Sequence, residues 1–495
     1  MQFTTLNLQF IYLPMSQIRI LYLLLVLILL TDCSSTVPPE PVGPVPNEQQ
    51  LMWHEMEMNA FIHFTINTFT DKEWGYGDES PELFDPSGLD VEQWVSVLKE
   101  AGFKGVILTA KHHDGFCLWP SEHTEHDIAN SPYKNGKGDI VKELSEACEK
   151  YGLKFGIYLS PWDRNRADYG TPAYVYYYRA QLEEIFTGYG EIFEMWFDGA
   201  NGGDGYYGGA DEMRRIDGST YYDWPGTLEL VRNMQEDVIF FSDAGPGVRW
   251  GGNERASAGF TNWNTITTDT LYAGKYGIED LLNTGSEDGK SWVPLEANTS
   301  IRPGWFYHES EDSLVKSPME LFDIYLTSVG RGSTLLLNIP PDKRGLFHEN
   351  DVASLQGFKA LLDQRFANDL ALDATIKASD VRGNSQFFSA ENLIDDDKET
   401  YWATNDGVTS GEIEIQFDDK REINFVVLQE YIKLGQRVKE FSITADVDGE
   451  WEKIAEATSI GYKRILRIDP VETSKLRISI HDSKAAPVLS SIQVF

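Results

Sequence analysis

The sequence predicts an α/β chain in which a (β/α)8-like barrel is followed by a C-terminal all-β sandwich. Three observations lead there. Between Phe61 and Ile339, eight short apolar runs alternate with stretches of helical periodicity, the rhythm of parallel βα units that close into a barrel. From about Ala374, Ile413, Ile415 and Phe417 alternate with Glu412, Glu414 and Gln416, and Leu476, Ile478 and Ile480 alternate again. Period-two runs without intervening helices describe a sandwich. Finally, 495 residues exceed what one ordinary core holds.

Taken in order, residues 1–33 are expected to be a signal peptide. Ile18 to Leu30 is apolar except for Arg19, too short for a membrane span and right for a signal core. Residues 34–50 form a Pro-rich tether, and 51–346 the barrel. Its strands are expected at 61–65, 106–109, 155–159, 192–197, 238–241, 260–264, 304–307 and 334–338. Val91, Trp94, Val95 and Leu98 mark a helical face that stops at Gly102; Ile140, Leu144, Ala147 and Tyr151 mark another that stops at Gly152. Thr171 and Pro172 have the residue types of an N-cap and first turn, and a further helix covers 318–329. A helical linker at 347–373 leads to the sandwich, 374–495. No glycine-rich phosphate loop opens any helix, so a dinucleotide fold has no support.

A net charge of -36 argues against nucleic acid or an anionic membrane surface as partner and suits a neutral ligand such as a sugar. Beyond Cys33 only Cys117 and Cys148 remain, too few for a disulfide framework.

The stretch 194–201, EMWFDGAN, delivers one acid, Asp198, to the end of an apolar run. In a parallel barrel the strand ends carry the reacting groups; an Asp before Gly otherwise caps a turn. The other strand ends supply hydrogen-bonding and aromatic groups suited to a sugar ring: His63, His112, His113, Tyr158, Trp119, and Glu73 with Trp74. Histidines at barrel strand ends also ligate metals. Here the first strand lacks a closely spaced His pair, and the vicinal His112 and His113 are expected to point their rings to opposite sides, so no catalytic metal or other cofactor is expected. His481 reads as a surface residue. Glycosidic cleavage needs a second carboxyl, and Asp243, Glu254, Glu296 and Glu309 are candidates. Glu254 lies in the glycine-flexed, aromatic-flanked RWGGNE at 249–254, a setting that raises a carboxyl pKa.

FIHF at 61–64, EWG at 73–75, KHHDGF at 111–116, GIYLSPWD at 156–163, MWFDGA at 195–200 and GRGSTLLLNIPP at 330–341 resemble the α-L-fucosidases of glycoside hydrolase family 29. The resemblance implies a retaining mechanism with Asp198 as nucleophile, and fucose contacts at His63, Glu73, Trp74, His112, His113 and Tyr158. FSDAGPGVRWGGNE at 241–254 is similar to the branch acting on α-1,3/4-linked fucose, which implies Glu254 as acid/base. SIRPGWFYH at 300–308 suggests Arg302 and Trp305 as pocket residues. In a retaining pair the two carboxyls stand about 5 to 5.5 Å apart. A Gly- and Tyr-rich insertion around 201–223 departs from the family pattern. The C-terminal part resembles galactose-binding-like, discoidin-type modules. Some of these hold calcium in an aspartate-rich loop, which here implies Asp395, Asp396 and Asp397, against the plainer reading of a solvated acidic turn. LTDCSS at 30–35 resembles a bacterial lipoprotein signal, with Cys33 as the lipidated residue and an exported, membrane-anchored protein as the consequence. The expected partner is a fucosylated glycan. The rival readings are a non-catalytic glycan-binding lipoprotein and a metal-dependent barrel hydrolase.

Overall fold

The computed structural model describes residues 37–495; the expected signal peptide and Cys33 lie outside the described residues. Eight strands form a closed barrel in chain order: β1 (Met58–Ile62), β2 (Gly105–Lys111), β3 (Lys154–Leu159), β4 (Glu194–Trp196), β5 (Ile239–Ser242), β6 (Val248–Trp250), β7 (Leu295–Ser300) and β8 (Thr334–Asn338). Each is parallel to its neighbours, and β8 closes on β1 through pairs such as Ala60↔Leu337.

The covering helices form where capping and periodicity agree. Asp90 accepts the N–H groups of Glu92 at 3.0 Å and Gln93 at 3.1 Å and starts Val91–Glu100, whose Trp94, Val95 and Leu98 are buried. Asp139 starts Ile140–Tyr151, and Gly152, at φ 70°, ends it in a left-handed turn. Thr171 does precede helix Pro172–Gly188, but its hydroxyl donates to Asp168 O at 2.8 Å and caps no N–H.

Two expected strands are placed differently. Residues 260–264 and 304–307 are loops, and the sixth and seventh strands are Val248–Trp250 and Leu295–Ser300. No helix separates β5 from β6; the connection is the five-residue turn 243–247, and Gly247 N returns to bond Phe240 O at 3.1 Å. The expected linker also differs. Helix Glu349–Arg365 belongs to the barrel: Leu355 and Phe358 are buried in its outer core, and Asp351 ties it to Arg302.

The C-terminal unit is one antiparallel sheet of β9 (Thr375–Ala378), β10 (Trp402–Ala403), β11 (Gly411–Glu430), β12 (Val438–Val447), β13 (Glu450–Ala457), β14 (Arg464–Ser483) and β15 (Val488–Val494). The two alternating sequence runs pair with each other, Ile413↔Ile478 and Ile415↔Leu476. Register shifts in the 20-residue β11 let the sheet bend around a core that includes Trp402, Ile413 and Phe441. The segment expected as a tether is docked on this unit: Arg437 Nη2 bonds Glu40 O at 2.7 Å and Val42 N bonds Leu434 O at 3.1 Å. Asp395 and Asp397 cap their own turn through Asp397 N and Glu399 N, both at 2.9 Å. Among the described residues no group of three or more His, Cys, Asp or Glu is arranged to hold a metal ion. Cys117 and Cys148 are buried and unbridged.

Candidate active site

At the C-terminal ends of the strands lies a cavity of about 220 Å³. It is lined by His63, Glu73, Trp74, His112, His113, Tyr158, Asp198, Asp243, Glu254 and Trp305, all named from the sequence, together with Phe61, Trp196, Gly199, Ala200, Trp250 and Asn298. Asp198 follows β4 directly. Its Oδ1 accepts Ala200 N–H at 2.7 Å and its Oδ2 the Tyr158 hydroxyl at 2.9 Å, with His113 Nε2 3.8 Å away. Burial raises its pKa, and the Ala200 and Tyr158 bonds oppose that rise. A Cβ on Gly199 would stand 2.1 Å from Asp243 Oδ2, so any larger residue here has to displace that carboxyl. Burial pushes Asp243 up to about 7, against the N–H bond from Gly274 at 2.7 Å.

The three histidines are neutral. Burial holds His63 and His113 down to about 3 and His112 well below its ordinary value. Their neighbours set the tautomers. Asn338 donates its amide hydrogens to Ser300 Oγ at 2.9 Å and Trp305 O at 2.8 Å, so its Oδ1 accepts from His63 Nδ1 at 2.8 Å. Ser160 donates to Trp162 O at 2.6 Å and therefore accepts from His113 Nδ1 at 2.7 Å. Both rings are left with Nε2 as an acceptor, matched to hydroxyl donors. The expectation that His112 and His113 diverge is overturned: their ring centroids are 4.1 Å apart and both line the cavity. β2 ends at Lys111, so strand alternation no longer governs them.

Glu254 is carried by the loop after β6. Asn253 clamps that loop, its Nδ2 bonding Gly251 O and Ser257 O, both at 2.9 Å. Gly252, at φ 70°, lets the turn pass 2.3 Å from Glu279 O as measured from a would-be Cβ. Glu254 Oε2 accepts Trp305 Nε1–H at 3.4 Å; burial raises the glutamate pKa, the indole bond lowers it, and the charges of Asp198 and Glu73 add to the rise. Glu73 takes the N–H groups of Trp305 at 2.9 Å and Phe306 at 3.1 Å, fixing the loop that carries Trp305. Trp74 stands at the mouth, 54 % exposed, edge-on to His113 at 5.3 Å.

Four expected residues lie elsewhere. Arg302 does not reach the cavity: its guanidinium is buried against Asp351 at 3.0 Å and Asp312 at 2.9 Å, a bolt between β7's outgoing loop and helix Glu349–Arg365. Trp119 bonds Glu184 at 2.9 Å away from the site, Glu309 is exposed in a short helical turn, and Glu296 is inside the barrel. Of the lining that the sequence left unnamed, Asn298 and Trp196 had a signal in period-two alternation with Glu296 and Glu194, which marks the barrel's inner face.

A parallel barrel that brings two acids, one partly exposed and one on a flexed loop, into a small chamber of neutral histidines and aromatic rings defines a glycoside hydrolase of the barrel class. The comparisons agree. The family model described as alpha-L-fucosidase matches residues 42–365, and that described as F5/8 type C domain matches 375–492. Alpha-L-fucosidase 1 of Arabidopsis thaliana is 39% identical over 94% of this chain and 90% of its own length. A glycoside hydrolase 29 family member from an unknown rumen bacterium is 45% identical, with a TM-score of 0.83 over 92% of this chain and 78% of that one. A Ruminococcus gnavus GH29 fucosidase solved in complex with fucose is 34% identical, with a TM-score of 0.83 over 94% of this chain and 97% of that one. The chain belongs to the α-L-fucosidases of glycoside hydrolase family 29 and carries a C-terminal F5/8 type C, or discoidin, domain.

Proposed function

We propose that the enzyme is an exo-acting, retaining α-L-fucosidase that removes terminal α-1,3/4-linked fucose from glycans by double displacement. The reading is carried by Asp198 and Glu254 lining one cavity with the neutral histidine set. Asp198, ionised, attacks the anomeric carbon while Glu254 gives its proton to the departing oxygen. Glu254 then takes a proton from water, which releases fucose with its configuration kept. His63 and His113 accept from sugar hydroxyls, His112, Glu73 and Trp74 complete the contacts, and Trp305 borders the acid. The fucose complex of the R. gnavus relative supports the sugar, and the GNE loop supports the linkage.

The test offers α-1,2-, α-1,3-, α-1,4- and α-1,6-fucosylated oligosaccharides in parallel and follows the first-formed anomer by NMR. Release of α-fucose from the 1,3 and 1,4 linkages is expected; an inverted product, or preference for 1,2 or 1,6, overturns the mechanism or the linkage respectively. Asp198→Ala is expected to lose at least about 10³-fold in kcat while still binding fucose. We also infer export with a lipid on Cys33; intact-mass analysis of the mature protein, with Cys33→Ala released from the membrane fraction, checks it.

A further inference from the structure

The barrel interior beneath the sugar pocket holds two acids that the displacement does not use. Glu194 on β4 and Glu296 on β7 are fully buried on the barrel's inner face, and the charge of Glu296 adds to burial in raising the pKa of Glu194. Each also accepts one indole N–H. Trp53, on helix Glu48–Met56 at the barrel's lower end, donates to Glu194 Oε2 at 3.3 Å, and Trp196 donates to Glu296 Oε1 at 2.9 Å. Among the described residues, Glu194 Oε1 and Glu296 Oε2 have no further donor, and no lysine, arginine or histidine charge acts on either group. Two buried carboxyls that act on each other, with no cation beside either, disfavour double ionisation, which leaves one proton with the pair. Asn59 and Thr334, buried polar side chains of β1 and β8, add no charge.

What this pair touches gives it a role. Trp196 lines the cavity, lies face to face on Phe241 at 3.9 Å and stands 5.4 Å from the ring of Tyr158, the residue that holds Asp198. We propose that Glu194 and Glu296 are positioning residues, a proton-sharing pair that fixes the Trp196 indole as the floor of the sugar pocket. A second carboxylate in place of the shared proton would push the carboxyls apart and free the indole; an aliphatic side chain would leave its N–H without an acceptor.

The inference rests on the fucosidase reading, and its test is kinetic, on the full chain with an aryl α-L-fucoside. Glu296→Ala is expected to raise KM about tenfold or more with kcat changed less than about threefold, since a loosened floor weakens ground and transition states alike. Glu296→Gln, whose amide keeps an acceptor for the indole and supplies the N–H that the shared proton provided, is expected to bring KM back to within about threefold of wild type. Trp196→Phe, which keeps a ring and lacks the N–H, should reproduce Glu296→Ala, and the double variant should add less than about twofold. Glu296→Gln as impaired as Glu296→Ala, or multiplying effects in the double variant, overturns the proposal. If Glu296→Ala does not fold, Trp196→Phe decides: a wild-type KM overturns it. A wild-type chain that releases no fucose would instead sink the functional reading.

Discussion

At Asp198 two influences oppose each other. Burial favours the protonated acid, while the Tyr158 hydroxyl and the Ala200 N–H favour the carboxylate. The folded state therefore keeps this proton to a higher pH than an unfolded chain, where Asp titrates near about 3.9. Ionising it lowers stability as pH rises, and Tyr158 limits that loss. The catalytic consequence is an acid limb of kcat/KM above the ordinary aspartate range and an alkaline limb set by Glu254, itself raised above an ordinary glutamate. Tyr158→Phe deletes one stabilising bond. Its pH–rate profile should show the acid limb moved to higher pH and kcat/KM at the optimum reduced about tenfold or more, the scale of a hydrogen bond to a charge; an unmoved limb would mean that the hydroxyl does not tune the acid.

Among the elements, the loops leaving β4 and β7 carry the sharpest constraints. Gly199→Ala places a methyl against the Asp243 carboxyl, so activity should fall by about 10²-fold. Gly199→Ala with Asp243→Ala should recover part of it, which a steric cause requires. Arg302→Met breaks a buried pair with Asp351. It is expected to cost about 3–5 kcal/mol of stability in denaturant titration and to leave the KM of the folded fraction unchanged, since Arg302 borders no part of the cavity. The elements that the sequence misplaces are equally informative. β7 reads LEANTS, rich in residues with weak strand preference, because its inner face presents Glu296 and Asn298 to a polar layer of the barrel. β6 is three residues long and follows Gly-Pro-Gly, too short to show any period.

Over the whole molecule, the two domains share a boundary that is partly core. Phe322 and Phe366 of the barrel pack on Phe425 and Phe495, with ring centroids between 5.1 and 6.0 Å. Gln436 of the C-terminal domain accepts Asn264 N–H and donates to Asn262 O, both at 2.8 Å, and Arg464 bonds Phe260 O at 2.8 Å. Residues 260–264, apolar enough to resemble a strand, are the barrel's side of this contact. A chain ending after Phe366 exposes the barrel's rings and carbonyls of this boundary. It should melt on the order of 10 °C lower than the full protein or aggregate, and a barrel that melts unchanged would show the domains to be independent. The sequence by itself determined the barrel-then-β order and the strand ends that carry Asp198 and the histidines, because alternation and glycine-bounded strand ends are local patterns that survive in one dimension; among the candidate second acids it was the GNE motif's resemblance that pointed to Glu254. Only the tertiary structure decided that Arg302 is a buried bolt, that His112 and His113 face the same chamber, and that Glu194 meets Glu296. Those outcomes depend on which distant side chain stands opposite, and residues 102 apart in the chain carry no mutual signal until the barrel closes and brings them into one buried interior.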